Sequence, residues 1–173
     1  MDETTQKGLI HNFHLPRYHE IPNVGLYLEQ TTRYIAECFA PLLDGVITAS
    51  MISNYVKRGL VSNPVKKQYS REQIAYLIYI TTVKTVLSME DIRLMLQIQK
   101  EKYETQAAYD YFCRSLEEML SYIGSGEHTP ALSANEAEEK RMLHNTVVAV
   151  AHTICLRKQF ALLQQEEQTQ KTD

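Results

Sequence analysis

The chain has 173 residues, of which 44% are hydrophobic and 23% are charged, and its formal net charge is −3 at pH 7. This composition is typical of a globular protein with one core, or with one small domain and an oligomerisation segment. No run of about 18 apolar residues and no signal segment stand out, so we expect neither a membrane span nor secretion. The cysteines, Cys38, Cys113 and Cys155, are odd in number and far apart, which favours a reducing compartment, the cytoplasm.

The first 22 residues are polar and irregular, and we expect them to form an arm on the surface. His11, His14 and His19 in this arm could chelate a metal. A zinc site normally needs four ligands held by ordered structure, and this segment offers neither a fourth ligand nor a helical pattern. The arm is therefore interpreted as metal-free.

Apolar residues recur with helical spacing through the rest of the chain, with almost no period-two alternation, which predicts an all-α fold with at most one small hairpin. The capping residues are Thr48, a Ser70–Gln73 capping box, and Ser88. The third helix is apolar on two sides and is predicted to be central. The predicted helices cover residues 23–39, 49–58, 71–86, a segment after Ser88, 105–123 and 135–164, with a linker at 124–134 and a frayed end.

The second predicted helix has two chemically different sides. Ile52, Tyr55 and Val56 form an apolar stripe that should face the core. The opposite side carries short hydrogen-bonding groups and a cation, which suit a helix that enters the DNA major groove. An ordinary solvated helix face is an equally good interpretation of that side alone. Its residues are Ser50, Ser53, Asn54 and Lys57.

The segment after this helix is basic. Gly59 should end the helix, and Asn63-Pro64 should form a turn flanked by two short strands, a small wing. Lys66 and Lys67 follow and could neutralise phosphates without reading sequence, although a solvated loop would look the same. Residues 48–102 hold nine basic and four acidic residues, a net charge of +5, whereas the remainder carries −8. Such polarity favours one surface for a polyanion.

The order of features from Val46 to Leu96 resembles the DNA-binding head of MerR-type transcriptional regulators. In that pattern a capped helix ends in an aromatic residue and Gly-Leu; a basic wing, an Arg-x-Tyr-Ser element and two helices follow. The whole chain, including the run LPRYHEIPNVGLYLEQ, also looks like a bacterial family, a domain of unknown function built on this head. The matching elements are Thr48, Tyr55, Gly59-Leu60, Lys66-Lys67, Lys67-Gln68-Tyr69-Ser70, Leu77 to Ile80, and Ser88-Met89-Glu90-Asp91-Ile92.

The resemblance implies a winged helix-turn-helix head in residues 23–102, after an arm in residues 1–22. A C-terminal helical bundle in residues 103–165, with a long last helix and a tail in residues 166–173, would then form a homodimer; a self-contained monomeric bundle is the alternative. Tyr55 and Lys67 match positions that hold DNA phosphates, and Arg58 and Arg71 complete the set of residues predicted to bind double-stranded DNA. Ser53 and Asn54 replace the usual arginine and tyrosine of the recognition helix. Val56 stands where an acid is common.

Two other classes remain open. A protein-interaction module could keep the helical head and use the tyrosine-rich residues 103–122 for a partner. An enzyme or metal sensor is not expected, because the chain lacks a phosphate-binding glycine loop, a nucleophile elbow, His-Glu-x-x-His and Cys-x-x-Cys. His144, His152 and Cys155 have a spacing that could ligate a metal, but core packing explains that helix better. We predict no cofactor, and the sequence indicates no effector.

Overall fold

A computed structural model describes residues 12–42 and 45–170, with side chains described as far as residue 165. His11 of the histidine-rich segment lies outside the described residues. This part of the chain is mostly helical, with one two-stranded antiparallel sheet. The elements are a short 3₁₀ helix (Tyr18–Glu20), β1 (Leu26–Tyr27), α1 (Leu28–Phe39), α2 (Ala49–Lys57), β2 (Gln68–Tyr69), α3 (Arg71–Val83), α4 (Met89–Lys102), α5 (Thr105–Ser125) and α6 (Glu138–Gln170).

The first helix begins at Leu28, five residues later than the prediction of Asn23. The residues before it are needed for the sheet, in which Leu26 pairs with Tyr69 and Tyr27 pairs with Gln68. Gly25 permits this pairing, because a Cβ at its position would lie 2.7 Å from the Gln68 Cβ. Thr31, Ile35 and Phe39 are buried along α1 at a spacing of four residues, so one side of this helix faces the core.

Helix α3 is the centre of the fold, as its two apolar sides predict. Its buried residues occur all round the helix and include Ile74, Leu77, Ile78 and Ile80. The predicted capping box is present. The Ser70 hydroxyl accepts a hydrogen bond from the backbone N–H of Gln73, and the side-chain oxygen Oε1 of Gln73 accepts one from the backbone N–H of Ser70. Helix α3 contacts α1, α5 and α6, so the head and the C-terminal helices share one core.

The expectation of a surface arm is wrong for residues 13–21. Phe13, Leu15 and Ile21 are buried in the core. The Arg17 guanidinium makes a bidentate ion pair with Glu117 of α5, with one N–O distance of 2.8 Å, and Glu117 also accepts from the Leu15 N–H. Apolar side chains at alternate positions therefore bury this segment, although its sequence reads as polar.

The long α6 packs mainly against α5 of the same chain. Val147, Val150, Ala151 and Ile154 are buried there and form an apolar seam within the chain, and the helix continues to Gln170. Beyond this contact, α6 has an exposed apolar side. By length and composition alone, Glu138–Gln165 could also cross a membrane, but core helices of soluble proteins pass the same test, so this is weak evidence.

Candidate nucleic-acid interface

Helix α2 presents one polar side to solvent. The Thr48 hydroxyl caps it by accepting from the Met51 N–H at 3.3 Å, as predicted. Ile52 and Tyr55 are buried on the inner side. We call the outer side the polar face of α2; its members Ser50, Ser53, Asn54 and Lys57 are all exposed.

The side chains of the polar face differ in their availability to a ligand. The Ser53 hydroxyl donates to the Ala49 carbonyl at 3.0 Å, and the Ser50 and Thr48 hydroxyls lie 3.2 Å apart. Within the described part of the chain, Asn54 and Lys57 have no side-chain hydrogen bond or ion pair. An amide that can donate and accept, followed by a cation, is thus the most accessible chemistry on α2.

The lysine pair lies at the tip of a tight turn, residues 65–68, which we call the lysine turn. Lys66 and Lys67 have φ values of +49° and +65°, and the Gln68 N–H donates to the Val65 carbonyl at 2.9 Å. Positive φ at both central residues defines a type I′ turn, whose twist matches antiparallel strands and which normally prefers Asn-Gly. Two lysines held in this left-handed region are strained, and strain of this kind is concentrated at functional sites.

The prediction of a turn at Asn63-Pro64 with a short strand on each side is wrong in the position of the turn and in the strand that pairs with β2. The chain reverses at Lys66-Lys67, two residues after the predicted Asn63-Pro64 turn. Only the bridge from Val65 to Gln68 closes the hairpin, and β2 takes its main partner from β1, which precedes α1. The paired residues are 41 and 43 positions apart in sequence, so a local pattern cannot reveal them.

Gln73 fixes the loop that leads from α2 to the lysine turn. Its buried side-chain amide donates to the Ser62 carbonyl at 2.8 Å, to the Ser62 hydroxyl at 3.1 Å and to the Asn63 carbonyl at 3.2 Å. The same side chain caps α3. One residue thus joins the loop to the central helix, and α3 positions the lysine turn.

Arg93 of α4 is part of this surface, and sequence reasoning missed it. Its guanidinium donates to the Arg58 carbonyl at 2.6 Å and lies 3.5 Å from the Glu90 carboxylate. Arg93 therefore satisfies a free carbonyl at the C-terminal end of α2, next to Gly59, whose φ is +72°. This contact spans 35 residues, and no local signal could have identified it.

Two predicted DNA-binding residues are engaged inside the protein. Tyr55 is only 3% exposed, and burial raises the pKa of its hydroxyl. The Arg71 guanidinium donates to the Ile21 carbonyl at 2.8 Å and to the His19 carbonyl at 3.3 Å, and it stacks 5.7 Å from the Tyr18 ring. Arg71 thus anchors the N-terminal segment, and these positions contribute to the framework of the surface.

The basic residues of the head divide into engaged and available groups. Lys84 donates to the Val46 carbonyl at 2.6 Å, and burial followed by the charge of Arg157 lowers its pKa. Arg71 and Arg93 bind backbone carbonyls, Lys100 lies over the Tyr76 ring, and Lys102 pairs with Glu139. Of the nine basic side chains between positions 48 and 102, all of which the structure describes, four have no hydrogen-bond, ion-pair or cation–π partner: Lys57, Arg58, Lys66 and Lys67.

The histidine and cysteine positions considered for metals are not brought together. No group of three or more His, Cys, Asp or Glu side chains that could hold a metal occurs among residues 12–42 and 45–170. His14 lies 3.5 Å from Glu20 and 3.2 Å from Glu117, His152 is exposed, and Cys155 is buried.

The comparisons with known proteins give one finding. The sequence model of the family described as Domain of unknown function (DUF1836) matches residues 16–112, which is more than half of the chain. No curated protein and no solved structure matches it. The match begins at the buried N-terminal segment and ends in α5, so it includes α2, the lysine turn, Gln73 and Arg93. The chain belongs to the DUF1836 family, a family defined by a domain of unknown function.

Proposed function

We propose that this protein is a DNA-binding transcriptional regulator with a MerR-like winged helix-turn-helix head. In this proposal the polar face of α2 enters the major groove of a duplex. The lysine turn is the wing, and Lys66 and Lys67 contact the flanking phosphates. Phosphate contacts position such a protein, and contacts to base edges supply its specificity.

The observation that carries the proposal is the distribution of unpartnered cations. Between positions 48 and 102, the four basic side chains without a partner lie on two segments, the C-terminal end of α2 and the lysine turn. Every other basic residue between positions 48 and 102 is used within the fold. Cations left free on a chain whose overall charge is −3 favour a polyanionic partner at this surface.

The groove-reading role is assigned chiefly to Asn54. Its amide is exposed and can make a bidentate contact with the N6 and N7 edge of adenine. Asn54→Ala should change which sequences are preferred, by roughly 1–3 kcal/mol at one position, and leave nonspecific binding in place. Asn145→Ala is the matched control, because it removes an exposed amide from α6, outside the polar face of α2.

Binding is tested by fluorescence anisotropy of the full chain with duplex DNA from upstream of its own gene, at 50 and 200 mM salt. A random duplex of equal length is the control. The proposal expects tighter binding to the upstream duplex and a steep loss of affinity with salt. Absence of binding to either duplex at 50 mM salt and micromolar protein would refute it.

We also propose that the protein acts as a homodimer through α6. Leu156, Phe160 and Leu163 are each more than half exposed, at a spacing of four and three residues on one side of this helix. That spacing is the one by which two helices pack together in a coiled coil. The buried seam of α6 is already covered by α5, so this second side is the one that supports association.

Light scattering after size exclusion tests the dimer. Leu156→Gln with Phe160→Gln should convert a dimeric mass into a monomeric one, whereas Leu94→Gln, an equally exposed leucine on α4, should leave the mass unchanged. A monomeric parent at 100 μM protein contradicts the dimer.

The exposed side of α6 also favours a second candidate function, a protein-interaction module without DNA recognition. Binding to a partner through Leu156, Phe160 and Leu163 would be apolar and nearly insensitive to salt. Phosphate contacts would instead give a steep dependence, so the same salt series separates the two functions.

A further inference from the structure

A cavity of about 260 Å³ lies where α3, α4, α5 and the start of α6 meet. Six of its eighteen lining residues are aromatic, among them Tyr76 and Tyr79 of α3 and Tyr111 and Phe112 of α5. The Tyr79 and Phe112 rings meet edge to face, with centroids 5.1 Å apart and planes at 81°. Their arrangement leaves a preformed, largely apolar cleft that does not belong to the DNA-binding surface.

The volume of the cavity limits the size of the ligand that it can hold. An apolar cavity of about 150 Å³ accommodates benzene, and pockets for drug-sized ligands begin at about 300 Å³. A volume of about 260 Å³ therefore suits a ligand of one or two fused rings.

The charged side chains at the rim of the cavity indicate which charge a ligand should carry. Glu139 is the acid that lines the cavity. Its carboxylate is paired with the Lys102 ammonium at 3.0 Å and accepts a hydrogen bond from the Tyr103 hydroxyl at 3.0 Å. Lys140 is paired with Glu136. Arg114 also lines the cavity, is exposed, and has no ion-pair or hydrogen-bond partner within the described residues.

The protein's own lysines also occupy the places where a cationic ligand would stack. Lys100 lies 4.8 Å from the centroid of the Tyr76 ring, and Lys140 lies 5.9 Å from that of Tyr111. A cation in the cavity would compete with these contacts and would meet no unpaired carboxylate. An anion would meet the unpaired Arg114 guanidinium, which suits a planar carboxylate.

We propose that this cavity is a binding site for a small aromatic anion, with its rings packed against the Tyr79 and Phe112 side chains and its anionic group at Arg114. The site does not depend on DNA binding, because none of its lining residues belongs to α2 or to the lysine turn.

Three probes with the same two-ring frame test the site on the full chain: 2-naphthoate, neutral 2-naphthol and cationic N-methylquinolinium. We expect 2-naphthoate to bind with one-to-one stoichiometry and a Kd of about 1 mM or tighter by calorimetry. The quinolinium should bind at least about fivefold more weakly. Nuclear Overhauser contacts from the naphthoate protons to the Tyr79 and Phe112 rings should place it.

Variants separate the ring site from the charge site. Ala108→Leu fills part of the cavity and should weaken all three probes about tenfold; if it fails to fold, Ala107→Leu at the same wall replaces it. Arg114→Gln should weaken 2-naphthoate by about three- to fivefold and leave 2-naphthol unchanged. Arg141→Gln, an exposed residue outside the lining, is the matched control and should change nothing.

Each possible failure overturns the proposal at an identifiable point. No saturable 2-naphthoate binding at 5 mM, or contacts to rings elsewhere, removes the site. Equal binding of the anion and the cation, or an unchanged affinity in Arg114→Gln, removes the assignment of the ligand as an anion.

Discussion

Replacing the lysine turn by its preferred sequence separates charge from folding. Lys66→Asn with Lys67→Gly removes two of the four available cations and installs the Asn-Gly pair that a type I′ turn favours. Relief of the left-handed strain should raise the free energy of unfolding by about 1–2 kcal/mol, hence Tm by roughly 2–8 °C. A variant that is more stable and yet binds DNA less tightly cannot owe its defect to misfolding.

The loss of DNA affinity can be estimated from the number of phosphate contacts. Four contacts give a slope of log K against log salt of about −3.6, and two contacts give about −1.8. Between 50 and 200 mM salt the parent should therefore lose about 150-fold in affinity and the variant about 12-fold. If two heads of a dimer bind one duplex, both slopes double and their ratio is unchanged.

The assay is fluorescence anisotropy over a salt series, with Tm measured on the same preparations. Arg141→Gln with Arg157→Gln is the matched control: it removes the same two charges from exposed positions on α6. The control should keep the parental slope, because these residues lie outside the proposed interface. Equal slopes for the parent and the turn variant would refute the role of Lys66 and Lys67, whatever the absolute affinities.

Three further predictions concern the framework. Gln73→Ala leaves the Ser62 and Asn63 carbonyls and the Ser70 N–H at the α3 cap without their hydrogen-bond partner. This loss should lower the free energy of unfolding, measured by urea titration, by about 2–3 kcal/mol. An unchanged urea midpoint contradicts the anchoring role of Gln73. Burial raises the pKa of Cys38 and Cys113 to about 12, so a disulfide reagent at pH 8 should react slowly with the native protein and quickly in denaturant. Hydrogen bonds from the Glu139 backbone N–H, Lys102 and Tyr103 lower the pKa of the Glu139 carboxyl from 4.5 to about 2. The stability that the ionised carboxylate contributes is therefore present above pH 4.5 and is lost as the pH falls toward 2. An acid titration of the stability of Glu139→Gln should lack this loss.

The proposed DNA-binding surface and the cavity are built on different parts of one core. Helix α3 contributes Gln73 to the loop before the lysine turn and Tyr76 and Tyr79 to the cavity wall. Helix α4 contributes Arg93 to the end of α2 and Met95 and Leu96 to the same wall. The head is therefore not an independent unit attached to a C-terminal bundle, and the boundary predicted at residue 102 falls within a continuous core.

The sequence alone determined the features that depend on neighbouring residues. Capping by Thr48, Ser70 and Ser88, the buried side of α1 and the central position of α3 all follow from spacings of three or four residues, which local hydrogen bonds and helix geometry impose. The family could also be recognised from such ordered elements.

Only the tertiary structure decided which predicted site residues are available. Tyr55 is buried on the inner side of α2, and Arg71 donates a hydrogen bond to the Ile21 carbonyl of the N-terminal segment. The chain reverses at Lys66-Lys67, where β2 pairs with β1, and Arg93 contacts the end of α2 across 35 residues. These contacts join residues that are distant in sequence, and their free energy is realised only when the whole core forms, so no short pattern carries them.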